Sequence, residues 1–195
     1  RYIAVTGVQT CALPISADLC SRYGLQVPEL PEDLLQSIDR LLPDYWSRSN
    51  PIDLVGEWDV HLPIKVLESV LQWDECDAVI NLGLLGRKLF VTRYLDAVGR
   101  SDPDADQDFL ERAKGDIASF EATYVQSVAR LMTEYNKPVF GVRLEFAEDD
   151  TTVMNVADCP YKAVFYETPE NAVKVCAEMY GYYNFLHGNR EKGKT

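Results

Sequence analysis

Apolar and polar positions fall in blocks that switch between a helical period and short, dense apolar runs. Ala17 to Tyr23 reads as the end of a helix, stopped by Gly24 in a left-handed position. Leu25 to Leu30 is a short extended piece, which Pro28 and Pro31 confine to a sheet edge or a loop. Pro31-Glu32-Asp33 opens a helix whose early acids suit the positive end of its dipole. Leu34, Leu35, Ile38, Leu41 and Leu42 form its apolar face, and Pro43 stops it. A further helix is predicted from about Val60 to Trp73, with Ile64, Leu67, Val70 and Leu71 on one stripe. Ala78-Val79-Ile80-Asn81-Leu82 is apolar enough for a fully buried strand.

The second half continues the alternation. Leu89 to Val98 is predicted helical, and Ser101 to Gln107 is a polar, acidic loop. A long amphipathic stretch follows, with Phe109, Ala113, Ile117, Phe120, Tyr124, Val128, Leu131 and Tyr135 at spacings of three and four. It exceeds an ordinary crossover helix, and Gly115-Asp116 is the place where it is expected to kink or split. Lys137-Pro138 introduces a strand from Val139 to Leu144, and another is predicted at Ala163 to Tyr166. Thr168-Pro169-Glu170 starts a closing helix to about Leu186, and 188–195 reads as a charged tail. Strands alternating with helices predict an α/β fold with a doubly wound parallel sheet in three layers. The stretch from about 87 to 136 is an enlarged helical region of it. Ligands of such sheets sit beyond the carboxyl ends of the strands, so the loops there are where chemistry is sought.

Residues 1–16 stand apart from this pattern. Val5-Thr6-Gly7-Val8-Gln9-Thr10-Cys11-Ala12-Leu13-Pro14-Ile15 is similar to the in-frame translation of a widely used short-read sequencing adapter. Gln9 to Ile15 back-translates as CAG ACG TGT GCT CTT CCG ATC, Arg1 matches the fixed upstream bases, and Tyr2-Ile3-Ala4 stands where a sample barcode falls. The segment is therefore expected to be adapter-derived, replacing a first strand and a glycine-rich loop, with native sequence entering near Ala17. It is expected to be accommodated as a strand from Arg1 to Thr6 and a loop through Pro14, and to hold no site residue.

Length and charge narrow the class. The 195 residues suit one domain with a real core. Lys and Arg number 19 against 31 Asp and Glu, for a formal net charge of −12, and Arg1 belongs to the adapter-like string. That balance argues against nucleic acid and against an anionic membrane surface. No apolar run approaches the roughly 18 residues of a membrane span. Cys20, Cys76, Cys159 and Cys176 make no Cys-x-x-Cys pair and have no His at ligand spacing. They are expected to be reduced core thiols in a cytoplasmic protein without a metal site.

Two loops carry the candidate chemistry. Ser49-Asn50-Pro51-Ile52-Asp53-Leu54-Val55-Gly56 lies between two predicted helices. It reads either as a turn with a cap, or as the polar rim of a site where Asn50 and Asp53 donate or accept hydrogen bonds. Asn81-Leu82-Gly83-Leu84-Leu85-Gly86-Arg87 follows a strand. It is either a tight turn or a second edge of the site, with Arg87 suited to pairing with a phosphate.

These strings, in order, resemble a known family. Gly24-Leu25-Gln26-Val27-Pro28-Glu29-Leu30-Pro31-Glu32, Leu41-Leu42-Pro43, Ser49 to Leu54, Cys76-Asp77-Ala78-Val79-Ile80, Lys137-Pro138-Val139 and Tyr166 to Val173 recur in the ADP-forming acyl-CoA synthetases, the acetate–CoA ligases related to succinyl-CoA synthetase. The resemblance covers most of Ala17 to Leu186 and weakens between Leu84 and Tyr135. It implies a flavodoxin-like subdomain over about 17–187 and the reaction acyl-CoA + ADP + phosphate ⇌ acid + CoA + ATP, through an acyl phosphate and a phosphohistidine. The implied partners are CoA-binding and phosphohistidine subdomains, an ATP-grasp subunit or domain, and an oligomeric assembly; the implied ligands of the whole enzyme are CoA, ADP or ATP, and Mg²⁺. The piece itself implies no bound cofactor, no catalytic residue and no activity alone. The family offers a glycine loop and a helix N-terminus to the phosphohistidine, which here fall at about Thr6 to Ile15. The surviving matches are Asn50, Asp53 and Gly56, with Gly83, Gly86 and Arg87 as the second edge.

Other classes fit less well. The two histidines, His61 and His187, follow neither a strand nor a glycine loop, and read as surface or capping residues. A phosphorylated receiver domain needs its Lys-Pro after a strand, whereas Lys137-Pro138 precedes one. Trp46 and Trp58 flank Asn50, as flavin-stacking loops would require, but packing is the simpler reading. A non-catalytic flavodoxin-like binding or regulatory module is the alternative.

Overall fold

The computed structural model describes residues 2–8, 11–56, 59, 61–147 and 150–191, with side chains as far as 187. Six strands form one sheet in the order β2-β1-β3-β4-β6-β5. They are β1 (Tyr2–Gly7), β2 (Ile52–Asp53), β3 (Cys76–Leu82), β4 (Val139–Val142), β5 (Val153–Met154) and β6 (Ala163–Tyr166). The first four and β6 are parallel; β5 pairs antiparallel with β6 at the edge. The helices are α1 (Ala12–Arg22), α2 (Glu32–Asp39), α3 (Leu62–Gln72), α4 (Arg87–Ser101), α5 (Gln107–Tyr135) and α6 (Pro169–Glu191).

The period-two rule sorts the core into two layers. Ile3 and Val5 of β1, Ala78, Ile80 and Leu82 of β3, and Phe140 and Val142 of β4 pack with α1 and α6. Ala4, Val79 and Val139, one residue out of step, pack with α2, α3 and α5 on the other face. The doubly wound sheet with helices on both faces is therefore present.

Several boundaries differ from expectation. The loop expected through Pro14 is a helix from Ala12, because a proline in the first turn removes an N–H that has no intrahelical partner anyway. The long helix α5 is neither kinked nor split. Gly115 faces open space, and a lone exposed glycine costs only about 1 kcal/mol, which the packing of Phe120 to Met132 outweighs. At 29 residues it is about 43 Å long. In its first turn the buried residue is Leu110, which lies against Gly99 of α4, so Phe109, expected on the apolar face, is 58% exposed. The strand expected to reach Leu144 stops at Val142. The closing helix passes Leu186 and runs to Glu191, into the segment expected as a tail. Its start is as expected, with Thr168 Oγ1 accepting from Asn171 N at 3.2 Å.

Candidate functional site

The carboxyl ends of β2, β1, β3, β4 and β6 form one rim, tied together by main-chain bonds. Leu54 N donates to Gly7 O (3.0 Å), Val8 N to Leu82 O (3.1 Å), Gly83 N to Val142 O (2.8 Å), Leu144 N to Leu85 O (2.7 Å) and Arg143 N to Tyr166 O (3.0 Å). The predicted residues split along this rim into two groups with β1 between them.

Asp53 and Gly56 form the first group. Asp53, the last residue of β2, accepts from Val55 N at 2.9 Å through Oδ1, which closes a turn through Val55 (φ 49°) and Gly56 (φ 70°). Aspartate here bonds its own backbone two residues on, and the second carboxylate oxygen is left for the rim. Asn50 is drawn away from it. Its Oδ1 accepts from Val5 N at 3.0 Å, and its Nδ2 donates to Ile3 O and Pro28 O, each at 3.0 Å. The carboxamide thus continues the β1 edge where β2 has not yet begun, and both its amide protons are committed to the fold. Trp46 is buried, with Nε1 on Asp39 Oδ1 at 2.8 Å, which is packing; Trp58 lies outside the described residues.

Gly83, Gly86 and Arg87 form the second group. Gly86 has φ 82°, and a side chain there would lie 2.3 Å from Glu145 O and 2.6 Å from Glu145 N. Only glycine fits this crossing of the β3 and β4 loops. Gly86 is the N-cap of α4 and offers no side-chain cap. Glu121 of α5 supplies one instead, its Oε1 accepting from Lys88 N at 2.8 Å. A carboxylate from the chain itself therefore occupies this helix end. Arg87, half-buried at the first position of α4, has no hydrogen bond or ion pair among the described residues.

Two features at this end of the sheet escaped the sequence reading. Arg143, the first residue after β4, has a side chain only 4% exposed and an Nη1 atom 3.2 Å from Asp150 Oδ2. A charged residue closing an apolar run was its sequence signal. The second is Asn81 on β3, whose Nδ2 donates to the hydroxyl of Tyr124 from α5. Both are buried, and burial pushes the Tyr124 hydroxyl well above the usual phenol range. Asn81 Oδ1 and the neighbouring Thr6 Oγ1 find no partner among the described residues.

Neither histidine joins the rim groups. His61 is exposed ahead of α3, its N–H donating to Asp59 at 2.8 Å, and His187 is exposed late in α6, stacked on Tyr183. Among the described residues no cluster of His, Cys, Asp and Glu could hold a metal ion, and no helix is long and apolar enough to cross a membrane.

Comparison with known proteins places this architecture. No protein-family profile matches the chain. Of curated proteins, the 4-hydroxybutyrate–CoA ligase [ADP-forming] of Nitrosopumilus maritimus is 31% identical over 68 residues, which is 35% of this chain and 10% of that protein. Of solved structures, the dinucleotide-forming acetyl-coenzyme A synthetase 1 of Candidatus Korarchaeum cryptofilum, in complex with phosphate and ADP, superposes with a TM-score of 0.59 at 19% identity. The match covers 94% of this chain and 33% of that one, and its apo form gives the same values. A Pyrococcus horikoshii OT3 protein superposes with a TM-score of 0.57 at 15% identity over 90% of this chain and 34% of its own. The chain thus shares the fold of about a third of the length of these solved structures, and its match spans a tenth of the curated ligase.

Proposed function

We propose that this chain is a piece of an ADP-forming acyl-CoA synthetase and contributes the subdomain that faces the phosphohistidine. The observation that carries the reading is the superposition of 94% of the chain on a third of an acetyl-coenzyme A synthetase. The 68 residues shared with an ADP-forming CoA ligase point the same way by sequence. On this reading the CoA-binding, phosphohistidine and ATP-grasp parts lie on other subdomains or subunits, and CoA, ADP or ATP and Mg²⁺ bind there. This piece presents backbone: the turn of Asp53 and Gly56 on one side of β1, and the Gly83–Arg87 loop on the other. Asn50 serves the site by fixing the strand between them. The isolated chain is expected to turn over no substrate.

The same reading takes residues 1–16 as translated adapter standing where the family has its first strand and glycine loop. What supports it is the string Gln9 to Ile15, which back-translates in frame as the adapter. The test is recovery of the uncontaminated gene, then incubation of its complete product with ATP, Mg²⁺ and an ATP-grasp partner. Phosphohistidine formation supports the proposal; a natural gene start near Ala17 sinks it.

A further inference from the structure

We propose that the cavity beside Arg143 is a binding site for a small oxyanion, a phosphate or carboxylate group. It encloses about 240 Å³ at the carboxyl rim, between the start of α4, the middle of α5 and the loop after β4. Gly86, Lys88, Glu121, Arg143 and Asp150 line it. Arg143 carries the argument. Its guanidinium is held over the Phe146 ring at 5.1 Å and faces Phe165 at 6.0 Å, with 4% of the side chain exposed. A charge this deep is costly unless its donors are used. They are poorly used: beyond the contact with Asp150, Nη2 reaches Thr151 O and Met154 Sδ only at 3.5 Å. Nε finds no acceptor among the described residues. The Nε is itself buried, so the guanidinium edge that matches the two oxygens of a carboxylate or phosphate opens to a ligand only when Asp150 turns aside.

The two strongest anion positions around the cavity already hold protein carboxylates. Glu121 sits on the amide at the start of α4, and Asp150 sits on Arg143. Glu121 is bonded to the main-chain amide of Lys88 and Asp150 to the Arg143 guanidinium, and the two mark where an incoming oxyanion would bind. Asp150 is the replaceable one: its side chain is 28% exposed, and besides Arg143 its Oδ2 accepts, among the described residues, only from Ala147 N at 3.0 Å, a main-chain amide that water or the ligand can take over. Binding is thus an exchange of Asp150 for the ligand on Arg143. The inference uses only these residues, and it stands or falls independently of the acyl-CoA synthetase reading.

The experiment is an ¹⁵N NMR titration of the whole chain with sodium phosphate, sodium acetate and sodium chloride in separate arms. The readouts are the Arg143 Nε–H and the Gly86 and Lys88 amides. A saturable shift with phosphate alone, acetate alone or both supports the site and identifies its ligand. Asp150→Asn, which removes the competing carboxylate but keeps its shape, should tighten binding by about fivefold. Arg143→Lys, which keeps the charge but loses the fork, should abolish the saturable shift. The proposal is overturned if neither the unaltered chain nor Asp150→Asn saturates, if chloride reproduces the shifts, or if Asp150→Asn weakens binding. Should Arg143→Lys fail to fold, the Asp150→Asn comparison decides alone.

Discussion

Asn50 offers the sharpest test of whether a motif residue serves a ligand or the fold. Asn50→Ala removes three hydrogen bonds and leaves Val5 N–H, Ile3 C=O and Pro28 C=O unpartnered at a half-buried edge. Each bond contributes about 1 kcal/mol net, so the loss should be about 2–4 kcal/mol. That is a large part of the roughly 5–15 kcal/mol that holds a domain together. With a urea slope of about 2 kcal/mol per molar, the midpoint should fall by about 1–2 M at unchanged slope. Asn50→Asp sharpens the result. It keeps an acceptor for Val5 N but turns a carboxylate onto two carbonyl oxygens, so at pH 7 it should be at least as damaging. The repulsion raises the folded-state pKa of that carboxyl. Its destabilisation should therefore ease, relative to Asn50→Ala, as pH falls through that value. A midpoint within about 0.25 M of the unaltered chain for Asn50→Ala would refute the scaffold role and return Asn50 to the rim.

Gly86→Ala combines a left-handed backbone with collision against Glu145, and should cost about 2 kcal/mol or more, a fall of about 4–8 °C in Tm; Gly56→Ala, with open space around it, should cost about 1 kcal/mol. Tyr124→Phe should cost about 1–2 kcal/mol in urea, whereas pairing it with Asn81→Leu should recover much of the loss, because an apolar pair leaves no buried amide unpaired. Burial raises the thiols of Cys20 and Cys176 to about 12 and of Cys76 to about 11, so mass spectrometry after iodoacetamide at pH 8 should find these three unmodified and Cys159 alkylated. The same shifts predict a stability that is full below about pH 9 and falls from there to about pH 12, because the unfolded thiols release their protons first.

What the sequence showed and hid follows from where side chains act. The central strands were legible because they are buried on both faces, so Val139 to Val142 and, but for Asn81, Ala78 to Leu82 read as apolar runs. Strand β5 was invisible: two residues long, with Val153 47% exposed, it carries no alternation to detect. In α5 the extent of the helix was legible, but its buried face was not legible throughout. Periodicity marks one face of a helix without saying which neighbour covers it, and in the first turn α4 covers Leu110 rather than Phe109. At the rim, Asp53 and Gly56 were legible because turn chemistry is local. The cap from Glu121 to Lys88 and the burial of Arg143 join residues far apart in the chain, and no local window holds them.

The first strand brings these points together. Its ties to the fold are main-chain ties: it pairs in parallel with β2 and β3, and Asn50 grips one carbonyl and one amide of it. Such bonds accept any sequence that can extend, so the proposed adapter origin of this segment is compatible with a well-formed strand here. Ile3 and Val5 on one face and Ala4 on the other meet the packing demand as well. Side-chain polarity is where the fit fails, at the Thr6 hydroxyl opposite Asn81, whose Oδ1 is also unpartnered. Substituting Thr6 by Val, which keeps the shape and removes the hydroxyl, should therefore leave stability unchanged or raise it by about 1 kcal/mol. A loss of 1 kcal/mol or more in urea denaturation would show that the hydroxyl has a partner, and that this strand belongs to the fold more closely than its backbone requires.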